Sequence, residues 1–292
     1  MRWLDLPRPL AFVLSGGAAL GALQVGMLEA ALEHGLRPDL VVGASVGALN
    51  GAVLCEGPAE AVDRLAGVWR NLRRQAVFPW TVSANLRALA GRGTHLFNSS
   101  RLDGLIRASL GADEFCELPV PLTVVATDAL TGHPVLLTHG PLSPALLASA
   151  AIPGLFPPVV RDGRLLVDGG LAQNVPLQPA LGAGAASILV LDAAGFCHRS
   201  LPARNLVETL VFSSSLLLRQ QVTCDLAAVS AQVPVLYPPG PCLVGRSPMD
   251  FSRSADLIEL GRTHTAAFLD QIEFSGPGLY GHPHHHAEDE MP

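Results

Sequence analysis

Leu10-Ala-Phe-Val-Leu-Ser-Gly-Gly17 and Leu40-Val-Val-Gly-Ala-Ser-Val-Gly47 follow one plan: an apolar run of strand length, a turn of small residues, then a helix. In the first copy the helix covers Leu20 to His34, where Gly35 and then Pro38 stop it; in the second it starts directly after Ser45. Uninterrupted apolar strands are buried on both faces. Strand, tight turn and helix, twice over, therefore predict an α/β fold: a mostly parallel sheet sandwiched by helices, with its turns at the carboxyl edge.

The alternation continues downstream. From Ala59 to Leu72, the positions Val62, Leu65, Ala66, Trp69 and Leu72 keep helical spacing. They leave Arg70, Arg73 and Arg74 towards water, a cluster that suits anionic head groups or simply a solvated face. Val77 to Asn98 has no clear period and holds Phe78, Pro79 and Trp80, so it reads as a surface excursion or lid. A helix is expected from about Arg101 to Leu110, and strands at Leu122–Thr127, Pro134–Thr138, Leu165–Val167 and Ser187–Leu191. Ser143-Pro144 reads as an N-cap and first helical residue of a short helix ending before Pro153.

The expected division is an α/β core over 10–192, a helical extension over 193–275 packed on the same domain, and a disordered tail over 276–292. The extension is read as helices at Ala203–Ala231 and Ser252–Ile272 joined by a Pro-rich connector, Pro234–Pro248. The tail carries Gly281-His-Pro-His-His-His286, which offers metal-binding side chains yet reads as disordered.

Composition narrows the function classes. With 49% apolar and 15% charged residues, 29 Gly and 24 Pro in 292 residues, the chain suits a compact sheet with many tight turns. A net charge of -6 gives no field to gather nucleic acid. The scattered cysteines Cys55, Cys116, Cys197, Cys224 and Cys242 lack the paired spacing of a zinc or redox site and read as reduced packing residues, so no cofactor or metal is expected. The N-terminus has no secretory h-region, and the most apolar uncharged stretch, Leu40 to Cys55, is shorter than the ~20 residues that span a bilayer. The expected setting is the cytoplasm, at most peripheral to a membrane.

Gly43-x-Ser45-x-Gly47 lies between a strand and a helix, the setting in which this motif presents a nucleophile. Its glycines permit a strained turn that lifts the hydroxyl above the sheet, while N–H groups of the new helix face the reacting atom. The motif alone also occurs in structural turns. The first turn, Ser15-Gly-Gly-Ala-Ala-Leu-Gly21, sits at the same sheet edge, and its small residues leave backbone N–H groups uncovered for an anion or a developing oxyanion. A dinucleotide reading of Gly16-x-Ala18-x-x-Gly21 lacks the acidic residue that would close the second strand. Asp168, in Leu165-Leu-Val-Asp-Gly-Gly170, stands where a strand becomes a loop, a seat shared by functional groups and ordinary turn-forming aspartates.

Taken in order, Leu14-Ser-Gly-Gly-Ala-Ala-Leu-Gly-Ala-Leu-Gln-Val-Gly26, Gly43-Ala-Ser-Val-Gly47 with Ala48-Leu-Asn-Gly51, Ala148-Ser-Ala-Ala-Ile-Pro-Gly-Leu-Phe-Pro-Pro158 and Asp168-Gly-Gly170 resemble the blocks of the patatin-like phospholipase family, over about residues 10 to 192. The resemblance implies a serine acyl hydrolase of phospholipase A, lysophospholipase or lipase type acting on a lipid or other ester substrate, in contact at most with the membrane periphery. It implies Ser45 as nucleophile, Asp168 as base, and the turn around Gly16, Gly17 and Ala18 as oxyanion hole. Two positions depart from the family's G-x-G-x-[RK]-G turn: Ala18 replaces a glycine and Leu20 the basic residue. Backbone donors survive an alanine provided Ala18 needs no positive φ. Loss of the cation weakens charge stabilisation or shifts the preferred substrate.

A lone carboxylate with an ordinary pKa of about 3.9 is poorly matched to a serine hydroxyl. The site therefore has to exclude water, and the apolar Ala150-Ile-Pro-Gly-Leu-Phe156 is expected to supply the dry wall. Two other readings stand beside this one. A Ser–His–Asp esterase would follow the chain order of α/β-hydrolases with His198 or His264, although His264 shares a helical stripe with Leu257, Leu260, Gly261 and Phe268 and reads as a packed core histidine. A non-hydrolytic lipid-binding or acyltransferase relative would keep the pocket and lose the water chemistry.

Overall fold

The two strand–turn–helix repeats lie side by side at the centre of one sheet. β1 (Leu10–Leu14) and β2 (Leu40–Ala44) pair in parallel, with Val13 beside Val42, and each is followed by its helix, α1 (Ala22–Glu33) and α2 (Val46–Glu56). The computed structural model describes residues 5–78, 94–193, 206–241 and 247–283. Most of the expected lid, His198, Cys197 and Cys242 lie outside them. The further strands are β3 (Leu122–Asp128), β4 (Pro134–Leu137), β5 (Val159–Arg161), β6 (Arg164–Asp168), β7 (Ser187–Leu191), β8 (Pro234–Tyr237) and β9 (Gly278–Gly281). Their order is β5-β6-β3-β2-β1-β7-β8-β9, with β4 also on β3. The run from β3 through β9 is parallel, while β4, β5 and β6 are antiparallel additions.

Why the central strands are apolar without a break follows from their two neighbours. Alternate residues point to opposite faces: Phe12, Leu14 and Val41 join the core under α1 and α2, while Val13, Val42 and Val125 join a second core under the short helix Leu177–Gly182 and the long helix Leu206–Ser230. Four more helices complete the layers: α3 (Pro58–Asn71), α4 (Ser100–Ser109), α5 (Leu142–Ser149) and α6 (Leu206–Ser230). A seventh, α7 (Ser254–Gln271), crosses α1 at backbone contact. A Cβ added to Gly26 would lie 1.8 Å from the Ile258 carbonyl oxygen, and one added to Gly261 would lie 2.2 Å from that of Leu23.

Several expectations need correction. The region after 192 is not purely helical: Pro234–Tyr237 and Gly278–Gly281 are strands that lengthen the sheet, so the connector contributes β8 and the expected tail contributes β9. Proline is tolerated as the first residue of a strand, which is why a Pro-flanked run can still pair. The helix expected to begin at Pro144 begins two residues earlier, at Leu142. Ser143 does not cap it but donates its hydroxyl to Asp103 Oδ1 on α4 at 2.6 Å. Cys55 is buried, whereas Cys116 and Cys224 are exposed and do no packing. No helix among the described residues is long and apolar enough to cross a membrane.

Candidate active site

Register brings the two key strand ends together. β2 ends at Ala44 opposite Val125, and β6 arrives antiparallel at Asp168 opposite Ala126, so both ends meet consecutive residues of β3. The close approach needs glycine: a Cβ at Gly169 would sit 2.0 Å from the Val125 carbonyl oxygen. At the other end, a Cβ at Gly47 would sit 2.3 Å from the Leu14 carbonyl oxygen, so only glycine lets α2 start so close to β1. Between them Ser45 takes φ 52 and ψ −126, a strained backbone that aims its side chain away from both strand and helix.

The result is a direct contact. Ser45 Oγ donates to Asp168 Oδ2 at 2.6 Å, and both residues are buried. The second carboxylate oxygen, Oδ1, accepts the Gly170 N–H at 2.8 Å. Burial pushes the Asp168 carboxyl up from 3.8 to about 6, outweighing the hydrogen bonds from Ser45 and Gly170 that pull it down. Among the described residues no imidazole hydrogen-bonds to Ser45 or Asp168. His264 is exposed on the outer face of α7, not packed in the core as its stripe suggested, because the buried face runs through Leu257, Ile258, Gly261, Thr265 and Leu269.

Three side chains that the sequence did not single out hold this geometry. Ser149, at the end of α5, accepts the Ser45 N–H on its Oγ at 2.8 Å and donates to the Val125 carbonyl at 2.6 Å, tying the strained turn to β3. Thr127 donates to the Asp168 carbonyl at 2.7 Å and accepts the Ala172 N–H at 3.1 Å. Behind the first turn, Asp192 accepts hydroxyl protons from Ser15 and Tyr237, each at 2.6 Å. Their only signal in the sequence is a polar residue within an apolar run, which ordinary buried serines and threonines share.

The first turn divides its donors. Gly16 N–H is occupied by the Asn174 carbonyl at 3.1 Å, and Ala19 N–H by the Pro248 carbonyl at 2.8 Å. Gly17 and Ala18 N–H have no acceptor among the described residues. Ala18 does adopt a positive φ, 49°, so the condition attached to the alanine is not met and the turn carries strain that glycine would not. Leu20 is buried in the core.

A cavity of about 100 Å³ opens from Ser45 and Ala18 and runs along α2 past Leu49 and Val53. Ala150, Ile152 and Phe156 form part of its wall as expected, while Pro153 and Gly154 of the same segment are exposed. Phe78 stacks on Phe156 at 5.6 Å and also faces Phe251 at 6.1 Å, closing the cavity with aromatic rings. The site thus combines a nucleophile on a strained turn, a desolvated carboxylate touching it, uncovered N–H groups and a dry apolar space. An activated nucleophile, donors for an oxyanion and an apolar space together suit attack on a carbonyl bearing a hydrocarbon chain.

Comparison with known proteins adds kinship. The family model described as patatin-like phospholipase matches residues 12–181. An uncharacterised NTE family protein of Mycobacterium bovis is 32% identical over 205 residues, covering 70% of this chain and 54% of the relative. Neuropathy target esterase sws of Drosophila melanogaster is 32% identical over 194 residues, covering 65% of this chain and 13% of that protein. The chain therefore spans about half the length, or less, of these curated relatives. Among solved structures, VipD from Legionella pneumophila aligns with a TM-score of 0.47 and 15% identity, over 90% of this chain and 67% of that one.

Proposed function

Since the chain belongs to the patatin-like phospholipase family, we propose that it is a serine acyl hydrolase that cleaves carboxylic esters of lipids, of phospholipase A, lysophospholipase or lipase type. The observation that carries the reading is the 2.6 Å contact between Ser45 Oγ and Asp168 Oδ2 at the mouth of an apolar cavity. In the forward half-reaction Asp168 takes the Ser45 proton as Oγ bonds to the ester carbonyl carbon. The carbonyl oxygen becomes an oxyanion facing the free N–H groups of Gly17 and Ala18. Collapse breaks the bond to the alcohol, which leaves with the proton from Asp168, and the acyl group remains on Ser45. Water then attacks the acyl carbon and gives a proton to Asp168, which passes it to Ser45 Oγ as the bond to the acyl group breaks and the fatty acid departs.

The Asp168 pKa of about 6 suits this task. A base that titrates just below neutrality is ionised at pH 7 yet far more basic than an exposed aspartate. Purified protein given a panel of lipid esters is expected to release free fatty acid, and Ser45→Ala to lose about 10³-fold or more of that rate. Release that persists in Ser45→Ala, or turnover abolished by His264→Ala with the fold intact, would refute the assignment.

A further inference from the structure

Arg70, Arg73 and Arg74 are all exposed around the C-terminal end of α3. They line an open basin of about 980 Å³ together with Ser247, Asp250 and Phe251. Phe251 also lines the cavity at Ser45, so one ring separates an apolar space from a cationic one. The end of α3 makes the division: Trp69 in its last turn and Leu72 just beyond it face the cavity, while Arg70 in that turn and Arg73 in the extended link that follows line the basin. Trp69 stacks on Phe251 at 6.1 Å and fixes that boundary.

The basin lies beside the first turn. Its opposite wall, Ser247 to Ser252, is anchored by the Pro248 carbonyl, which accepts the Ala19 N–H next to the free donors of Gly17 and Ala18. Among the described residues no carboxylate lies within ion-pairing distance of Arg70, Arg73 or Arg74. Arg73 is preset by hydrogen bonds from Nη1 to the Arg70 and Leu72 carbonyls at 3.1 and 3.2 Å, leaving its other donors outward. The one acid among the described residues of the lining, Asp250, accepts the Ser252 N–H and hydroxyl on Oδ1. Among the described lining residues three arginines stand against one carboxylate. Although Glu29 also feels the Arg70 charge, the excess of cations in a chain of net charge -6 makes a local seat for an anion.

We propose that Arg70, Arg73 and Arg74 bind the phosphate of an acidic phospholipid substrate whose acyl chain fills the cavity across Phe251; this rests on the ester hydrolase reading above. Leu20 leaves the first turn without a cation, and the basin supplies one from α3 instead.

The test compares kcat/KM for a lysophosphatidate and for a monoacylglycerol with the same acyl chain. The unaltered protein is expected to prefer the lysophosphatidate, and the triple change Arg70→Gln, Arg73→Gln, Arg74→Gln to cut that preference about tenfold or more. Arg262→Gln, which removes a half-buried cation of α7 that is paired with Glu259, keeps the preference. A second arm measures calorimetric binding of the same lysophosphatidate, below its micelle concentration, to Ser45→Ala with and without the triple change. Preference and binding that ignore the three arginines overturn the proposal. Inorganic phosphate binding as tightly as the lysophosphatidate overturns the lipid assignment in favour of a free anion. If neither ester is cleaved while lysophosphatidate binding still depends on the arginines, the hydrolase reading fails and this site stands.

Discussion

Burial lifts the Asp168 carboxyl from 3.8 to about 6 against the opposing pull of two hydrogen bonds. An acid whose folded pKa is raised holds its proton more tightly in the folded chain, so it lowers stability as pH climbs from 3.8 through about 6. At 1.36 kcal/mol per unit the loss above that window is about 3 kcal/mol. The same ionisation creates the base, so kcat of the proposed hydrolysis rises through pH of about 6 and then levels. Asp168→Asn should therefore melt higher than the unaltered protein at about pH 8, by roughly 5 °C, with the gap closing near pH 4, while turnover falls about 10³-fold. A variant no more stable at the higher pH would show that the carboxyl is not desolvated. That Ser45 and Asp168 stand at turns where strands end was legible from the glycines beside them, but those turns also suit structural roles, and only the resemblance to a family joined the two residues. The engagement of Gly16 was not legible, since its acceptor, the Asn174 carbonyl, reaches it only through the tertiary fold.

At the scale of the element, α5 and the turn after it hold the site together. Ser149 bonds the Ser45 N–H and the Val125 carbonyl, its own carbonyl accepts the Gly169 N–H at 3.1 Å, and the Ala151 carbonyl accepts the Asp168 N–H at 3.0 Å. One segment thus fixes both reacting residues. Ser149→Ala leaves a buried donor and a buried acceptor unpaired, at about 1–3 kcal/mol each. The expected outcome is a lower urea midpoint together with a kcat reduced about tenfold or more at nearly constant KM, because the loss acts on orientation and not on the acyl cavity. Unchanged kcat in a folded variant would remove Ser149 from the positioning machinery. The sequence disclosed β1, β2 and β7, whose apolar runs have no competing reading. It hid β8 and β9, where Pro234, Pro238, Gly278 and Gly281 carry turn signals that the pairing of β8 with β7 and of β9 with β8 overrides.

Across the whole molecule, the region after residue 192 is built into the sheet and the site. β8 extends the sheet from β7, its Tyr237 reaches Asp192, and Asp192 holds the Ser15 hydroxyl behind the first turn. From Ser15 the polar chain continues: Gln24 donates to the Ser15 carbonyl, Asn50 to Gln24, and Trp69 to Asn50, all buried and each within 3.0 Å. A buried network of this kind ties layers into one cooperative unit only if the helices above it stay seated. Gly26 and Gly261 provide that seat, as no side chain fits between α1 and α7. Gly26→Ala is thus expected to lower stability by about 3 kcal/mol or more, since the obstructing atom is backbone and cannot rotate away. Gly67 lies on the exposed side of α3 with open space around it, so Gly67→Ala gains helix propensity and should add up to about 1 kcal/mol. Urea titrations followed by both far-ultraviolet dichroism and tryptophan fluorescence separate the cases. Opposite shifts in midpoint, with the two probes coincident in each variant, are the signature of one unit folding around the α1–α7 crossing. A Gly26→Ala midpoint equal to that of the unaltered chain would mean that the two helices do not meet there.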